Sequence, residues 1–152
     1  MSEYVLEMRN ITKRFSGNTV LDDVHLKIKK SEVHALLGEN GAGKSTLMKI
    51  LMGIYQKDEG TVLLDGEEVK ITSPSQALHH GIAMIHQELD PILDMSIAEN
   101  VFVGKELKKR GLVDYRGMQK QADEILKRVG LNMSSARMMR GLSVAQMQMV
   151  EI

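Results

Sequence analysis

Cysteine, tryptophan, net charge and long apolar runs are all missing from this sequence of 152 residues. The lack of cysteine excludes disulfide scaffolds, cysteine-ligated zinc sites and thiol catalysis. Twenty basic side chains balance twenty acidic ones, which argues against a protein that binds nucleic acid through overall positive charge. No apolar run approaches the roughly 18 residues that a transmembrane helix needs, and we expect no secretory signal in the first residues.

The composition that is present is typical of a packed domain. Hydrophobic residues make up 43% of the chain and charged residues 26%, which predicts one domain with a hydrophobic core rather than a disordered segment. Twelve methionines accompany an aromatic content of only 3%. We expect a soluble, cytoplasmic domain that mixes helices and strands.

Strand patterns dominate the first half of the chain. A nearly continuous apolar run at 33–37 ends at Gly38 and predicts a strand buried on both faces, and a second short apolar run at 82–86 predicts another strand. The dipeptide Asp65-Gly66 is typical of a tight hairpin turn. The other predicted strands are 4–9, 20–29, 61–64 and 67–71.

Helical patterns dominate the second half. Two pairs of residues have the spacing of a capping box, which predicts a helix start at the serine of each pair. These pairs are Ser96 with Glu99, and Ser143 with Gln146. Another helix is predicted from about Tyr115 to a stop at Gly130, and a shorter one at 75–80.

A basic cluster lies between these predicted helices. Its members are Lys105, Lys108, Lys109 and Arg110, followed by Gly111. We interpret the cluster as the solvated end of a helix, and a binding patch is the alternative.

Residues 38–46 match the phosphate-binding motif G-x-x-x-x-G-K-[ST]. Glycines let the backbone curl until successive N–H groups point at one phosphate, and the following helix adds the positive end of its dipole. Lys44 adds a charge that reaches the β- and γ-phosphates, the Ser45 hydroxyl is placed to ligate Mg²⁺, and we expect Thr46 to contact the α-phosphate. The predicted nucleotide-binding residues here are Gly38, Glu39, Asn40, Gly41, Ala42, Gly43, Lys44, Ser45 and Thr46.

A glycine-rich turn that only joins a strand to a helix is the alternative interpretation of this loop. The context favours phosphate binding, because an apolar run precedes the loop and a helical period follows it, as the motif requires. That period consists of Leu47, Ile50, Leu51 and Ile54.

Two further motifs follow the loop in order. Gln87 comes directly after the apolar run at 82–86, and Leu142-Ser143-Val144-Ala145-Gln146 opens the last predicted helix. From about Leu6 to Ile152, the chain thereby resembles the ATP-binding subunit of ABC transporters. The resemblance implies an α/β fold, a P-loop NTPase (RecA-like) core with an N-terminal antiparallel β subdomain and a helical subdomain. We expect the partial core at 1–88 and the helical subdomain at 89–152.

The resemblance also implies roles for single residues. Phe15 matches the aromatic residue that stacks on adenine in the family, with core packing as the alternative. Gln87 matches the glutamine that reaches the Mg²⁺ and the attacking water, so it is the catalytic candidate and, with Ser45, the metal-binding candidate; a solvated loop glutamine is the alternative. Ser143 and Gln146 match a signature that faces the γ-phosphate of an ATP bound to a second cassette.

This signature departs from the common form of the family. Val144 and Ala145 stand where two glycines are common, and their β-carbons would hold the backbone farther from a phosphate. The variant resembles the first cassette of bacterial sugar importers that carry two cassettes in tandem, of the galactose/methylgalactoside or ribose type. ATP and Mg²⁺ are the implied ligands. The implied partners are membrane permease subunits, a second ATP-binding cassette and, indirectly, a periplasmic or extracellular sugar-binding protein, with no nucleic acid.

The family pattern also contains parts that this sequence lacks. A Walker B aspartate, a catalytic glutamate and a switch histidine would follow the signature helix, and all five histidines precede that point. We therefore expect an N-terminal fragment whose fold is incomplete because the chain ends before Walker B, with ATP binding and weak or no hydrolysis. The resemblance places it at the inner face of the bacterial cell membrane, as a peripheral protein. The alternatives are a soluble ABC-type ATPase without a membrane partner and a small-molecule kinase that uses the same loop.

Overall fold

The computed structural model describes residues 2–85 and 90–152 and divides into two compact units, Met1–Met84 and Ile85–Ile152. The predicted boundary between residues 88 and 89 lies among 86–89, outside the described residues. Within the described ranges, no helix combines the length and the apolar character that crossing a membrane requires.

The first unit is built on a four-stranded antiparallel sheet. Strand β1 (Tyr4–Phe15) lies between β2 (Asn18–Lys29) and β3 (Glu59–Leu64), and β4 (Glu67–Glu68) pairs with the other edge of β3. The predicted hairpin turn at Asp65-Gly66 is confirmed, since φ is 52° at the first residue and 88° at the second. A two-residue hairpin loop of this kind needs positive φ at both positions.

A hydrophobic core joins this sheet to helix α1 (Lys44–Leu51). This confirms the predicted helical period for Leu47, Ile50 and Leu51 but not for Ile54, which lies beyond the helix and is exposed. Each buried side chain of this size contributes about 1.5–3 kcal/mol, so the cluster fixes the helix against the sheet. It contains Leu6, Met8, Ile11, Leu21, Leu26, Leu47, Ile50, Leu51 and Val62. A smaller cluster forms beside it where α2 (Pro74–His79), the helix predicted at 75–80, buries Ala77 against Met52 and Ile71.

The apolar run at 33–37 is not a buried strand, so that prediction is wrong. Residues 31–42 are all exposed, Val33 by 99% and Leu37 by 88%. A parallel strand forms only beside a neighbour that completes its backbone hydrogen bonds, and no strand of the described residues lies beside this run. The described part of the second run, 82–85, is likewise not a strand.

The second unit is helical. Its helices are α3 (Ile97–Val101), α4 (Tyr115–Arg128) and α5 (Val144–Glu151), and they surround a core that includes Ile97, Leu126, Met139 and Leu142. Both predicted capping boxes are confirmed, at the start of α3 and of α5. The end of α4 before Gly130, which has a φ of 80°, confirms the predicted helix stop.

The basic cluster is part of a β-hairpin, and its interpretation as a helix end is wrong. Strand β5 (Lys108–Lys109) pairs with β6 (Leu112–Val113) through a turn at Arg110-Gly111, where φ is 52° and 83°. Gly111 allows the second of these conformations, so it belongs to a hairpin turn rather than to a helix stop.

Candidate functional site

The loop of residues 38–46 leads from the exposed segment into the first turn of α1. The Ala42 N–H donates to the Glu39 carbonyl at 3.2 Å and closes a tight turn. Gly41 and Gly43 have φ values of 87° and 83°, which residues with a Cβ rarely adopt. The glycines therefore permit a curl of the backbone that larger residues would oppose.

Gly43 is the N-cap of α1 and the most restricted residue of this loop. A Cβ at this position would lie 2.6 Å from Cδ2 of Leu21 and 3.0 Å from the Val20 carbonyl oxygen. Glycine has no side chain that could cap the helix, and the first N–H groups of any helix have no acceptor within it. The first N–H groups of α1 are therefore not capped by Gly43. Helix α1 therefore presents N–H donors and the positive end of its dipole at the loop.

The Lys44 side chain folds back across the loop. Its Nζ donates to the carbonyl oxygens of Gly38 and Glu39, each at 2.7 Å. These two bonds hold a full positive charge over the curled backbone. A cation in this place can form charge-assisted hydrogen bonds with an anion that the loop amides also bind.

Ser45 and Thr46 complete the first turn of α1, Ser45 exposed and Thr46 half-buried. A hydroxyl oxygen is a hard ligand of the kind Mg²⁺ accepts, and Mg²⁺ commonly combines few protein oxygens with phosphate and water oxygens. Among the residues that the structure describes, no three His, Asp or Glu side chains gather into a metal-binding group. The exposed Ser45 hydroxyl fits a metal ion that it would share with phosphate oxygens.

Phe15 lies at the end of β1 and is 37% exposed, so the alternative of core packing is wrong. Its ring meets that of Tyr55 edge-on, with centroids 5.2 Å apart and an angle of 71° between the planes. Lys13 Nζ lies 5.2 Å from the centroid of the Phe15 ring. An aromatic edge contact and a cation–π contact therefore orient an accessible ring.

Lys13 and Tyr55, the two residues that contact the Phe15 ring, make further contacts of their own. Lys13 Nζ donates to Asp58 Oδ1 at 2.8 Å, and this bond, with a second one from the Arg14 N–H, holds the pKa of Asp58 below its ordinary value. Lys49 of α1 lies 5.4 Å from the Tyr55 ring centroid. Tyr55 thus connects Phe15 to the helix that begins in the loop.

Sequence reasoning missed Tyr55 as a neighbour of the site. The available signal was the scarcity of aromatic residues, since Tyr55 is one of only three tyrosines in the chain. Its position just after α1 gave no indication that the chain would bring it to Phe15, 40 positions earlier.

Ser143 and Gln146 lie in the second unit, at the start of α5. The Ser143 N–H donates to Gln146 Oε1 at 3.0 Å, and the Gln146 N–H donates to Ser143 Oγ at 3.3 Å. The Gln146 side-chain oxygen is therefore used within the cap. The Ser143 hydroxyl accepts in the cap and keeps its own proton to donate. Val144, at the first helical position, is 63% exposed.

Gln87 lies outside the described residues. Its catalytic and metal-binding roles stay predictions. Of the other candidates, Phe15 and residues 38–46 belong to the first unit, and Ser143 and Gln146 to the second.

A family model described as ABC transporter matches residues 21–152 of this chain. The matched range includes the loop at 38–46, Gln87 and the cap at 143–146. Phe15 lies before it.

Two curated relatives are similar over essentially the whole chain. A galactose/methyl galactoside import ATP-binding protein of Photobacterium profundum is 51% identical over 154 residues, which is 100% of this chain and 31% of the relative. A protein with the same description from Fusobacterium nucleatum is 46% identical over 150 residues, 99% of this chain and 30% of the relative. The chain thus spans about 30% of the length of the curated relatives it matches.

Solved structures show the same likeness at lower identity. The ADP conformation of an ATP-binding cassette of an ABC transporter matches with a TM-score of 0.83 and 29% identity, over 99% of this chain and 63% of that one. A nucleotide-free ATP-binding cassette from an ABC transporter matches with a TM-score of 0.79 and 27% identity, over 97% and 62%. These neighbours confirm the predicted fold class, an ABC cassette of the P-loop NTPase type. Because the family model matches residues 21–152, which is most of this chain, the chain belongs to the ABC transporter family.

Proposed function

We propose that this chain is the nucleotide-binding part of the ATP-binding subunit of an ABC sugar importer, and that it binds ATP through residues 38–46. The observation that carries the proposal is the close packing of Gly43 against Leu21. This packing fixes the uncapped start of α1 beside the Lys44 ammonium, and the two together are complementary to a polyphosphate chain.

In the proposed complex, the loop amides bind phosphate oxygens and Lys44 supplies the charge. The ammonium exchanges its bonds to the Gly38 and Glu39 carbonyls for charge-assisted bonds to the β- and γ-phosphates. Thr46, in the same turn of α1, would contact the α-phosphate. The glycines permit the curl, and the bond from the Ala42 N–H to the Glu39 carbonyl and the packing of Gly43 against Leu21 hold it in place for this exchange.

The metal part of the proposal rests on Ser45. Its exposed hydroxyl would hold Mg²⁺ together with phosphate oxygens, and Gln87 would reach the same region as the family resemblance implies. When bound, Mg²⁺ would neutralise phosphate charge and polarise the transferred phosphoryl group.

The base would stack on Phe15. A ring that is exposed and oriented by two neighbours offers a π-face at little entropic cost, and such stacking is tolerant of the base. The contact of Tyr55 with Lys49, in the last turn of α1, ties the aromatic pair to the helix whose first turn follows the phosphate loop.

The partners follow from the relatives, which are described as import ATP-binding proteins. We propose membrane permease subunits, a second ATP-binding cassette and, indirectly, a periplasmic or extracellular sugar-binding protein. The protein would lie in the cytoplasm, peripheral to the inner face of the membrane. The Ser143 hydroxyl would donate a hydrogen bond to the γ-phosphate of an ATP bound to the second cassette.

Equilibrium dialysis with labelled ATP, in Mg²⁺ and in EDTA, tests the proposal. We expect saturable binding that Mg²⁺ strengthens. Ser45→Ala should remove the gain from Mg²⁺ and leave binding in EDTA unchanged, whereas Ser45→Thr, which keeps the hydroxyl, should retain the gain. An absence of saturable binding in both buffers would contradict the proposal.

A further inference from the structure

The segment of residues 105–116, here called the basic hairpin, concentrates positive charge in a chain whose net charge is zero. It contains five basic and two acidic side chains. All five basic residues are exposed. They are Lys105, Lys108, Lys109, Arg110 and Arg116.

The two acidic side chains of the basic hairpin lower its charge but leave it net positive, because the five basic side chains outnumber them. Glu106 Oε1 accepts the Gly104 N–H at 3.0 Å, and Asp114 Oδ1 accepts the Gly117 N–H at 3.0 Å, as the N-cap of α4. None of the ion pairs among the described residues includes a side chain of the basic hairpin. The segment therefore presents its net positive charge to solvent, where an anionic partner can approach it.

Apolar side chains lie beside the charges rather than apart from them. Strand β6 is apolar where β5 is basic, and the register pairs Lys108 with Val113 and Lys109 with Leu112. Since cross-strand partners share a face, each face of the ribbon has one lysine and one apolar residue. Leu112 is 76% exposed and Tyr115 is 57% exposed.

We infer that the basic hairpin binds the surface of an anionic lipid bilayer. Basic side chains attract anionic headgroups, and a neighbouring leucine and tyrosine can enter the boundary between headgroups and acyl chains. An acidic protein segment would use the charges but would leave an exposed leucine between them without a role. This contact with lipid goes beyond the proposed function, in which the membrane is reached through permease subunits.

Flotation with lipid vesicles tests the inference on the 152-residue chain. Vesicles of phosphatidylcholine alone are compared with vesicles that also contain phosphatidylglycerol, at about 0.15 M salt, where the Debye length is about 8 Å. We expect binding that rises with the phosphatidylglycerol fraction and falls with added salt. No binding to the anionic vesicles would overturn the inference.

Two matched variants locate the charge effect. The first combines Lys108→Gln, Lys109→Gln and Arg110→Asn, the last because asparagine tolerates positive φ in this turn. The second removes the same charge from the exposed face and end of α4, by Lys120→Gln, Lys127→Gln and Arg128→Gln. Because one basic residue changes the partition coefficient about fivefold, we expect a loss of about a hundredfold in the first variant and much less in the second. Equal losses would overturn the inference.

The variant Leu112→Ser distinguishes between two kinds of partner for the basic hairpin, a lipid bilayer and an acidic protein segment. We expect this variant to keep its circular dichroism and to bind anionic vesicles about tenfold less well, since it loses apolar area that the membrane buries. Unchanged vesicle binding in Leu112→Ser, together with competition by polyglutamate, would assign the basic hairpin to an acidic protein instead.

Discussion

Gly43 and Leu21 lie so close that a methyl group on Gly43 would come within 2.6 Å of Leu21 Cδ2. Leu21 is 3% exposed and belongs to the core beneath the sheet. The start of α1 is therefore fixed by the hydrophobic core and not only by the loop. The position of the loop amides thus depends on a leucine that contacts no ligand in the proposed complex.

This relationship predicts unequal costs for two similar substitutions. Gly43→Ala would combine backbone strain at φ 83° with a clash against Leu21. Gly41→Ala would cause similar strain at φ 87°, but no atom lies within 4 Å of its new Cβ. We expect the free energy of unfolding in urea to fall by about 3 kcal/mol for Gly43→Ala and about 1 kcal/mol for Gly41→Ala. Equal losses would contradict the packing argument.

A double variant isolates the clash from the strain. Leu21→Ala removes the atom that the new methyl group would meet. In the Leu21→Ala background, the loss of unfolding free energy caused by Gly43→Ala should then be smaller by at least about 1 kcal/mol. Additive costs would mean that the two residues are not coupled.

The edge contact between Phe15 and Tyr55 predicts a selective effect on the base. We expect Phe15→Ala to weaken ATP binding about tenfold while the affinity for tripolyphosphate stays the same, because stacking acts on the base alone. Tyr55→Ala should have a smaller effect and add nothing to Phe15→Ala, since Tyr55 acts by orienting the ring. Calorimetric titration with both ligands measures this.

Tyr4→Ala is the matched control for the aromatic pair. Tyr4 lies at the other end of β1, where its ring contacts Lys27 and Lys29. ATP affinity should not change in this variant. An equal loss of ATP and tripolyphosphate affinity in Phe15→Ala would contradict the assignment of Phe15 to the base.

The capping box of α3 predicts a pH dependence. Glu99 Oε2 accepts from the Ser96 hydroxyl at 2.6 Å and from the Ser96 N–H at 2.8 Å, and these bonds hold the pKa of Glu99 below its ordinary value. The native state favours the carboxylate, so the stabilisation is present above the unfolded-state pKa of about 4.3 and is lost as the pH falls through the lower folded pKa.

Glu99→Gln keeps a capping side chain and removes the titration. We therefore expect the stability of the parent to fall more steeply than that of Glu99→Gln below about pH 4, with urea unfolding followed by circular dichroism. Glu124→Gln, on the exposed face of α4, should retain the steep fall of the parent. Parallel curves for the parent and Glu99→Gln would contradict the role of the cap.

Features with local causes could be predicted from the sequence. The capping boxes at Ser96 and Ser143 depend on residues three positions apart, and the turn at Asp65-Gly66 on two adjacent residues. Helix α1 follows from the apolar period after the loop. In each of these the physical cause lies within a few positions of the element.

Features that depend on distant partners could not be predicted in the same way. The apolar run at 33–37 has the composition of a buried strand, but its burial depends on neighbours that the described residues do not supply. The contact of Phe15 with Tyr55 depends on the path of β1 and on the end of α1. The register of β1 with β2 shifts at several points, and no pattern in the sequence indicates those shifts.

Isothermal titration calorimetry with Mg-ATP on the parent, Lys44→Ala and Lys70→Ala tests whether the loop at 38–46 binds the phosphates of ATP. Lys70→Ala removes the same charge from an exposed position in the same unit. We expect Lys44→Ala to weaken binding about tenfold or more, through the loss of a charge-assisted hydrogen bond, and Lys70→Ala to bind like the parent. Equal affinity of the parent and Lys44→Ala would contradict phosphate binding by this loop.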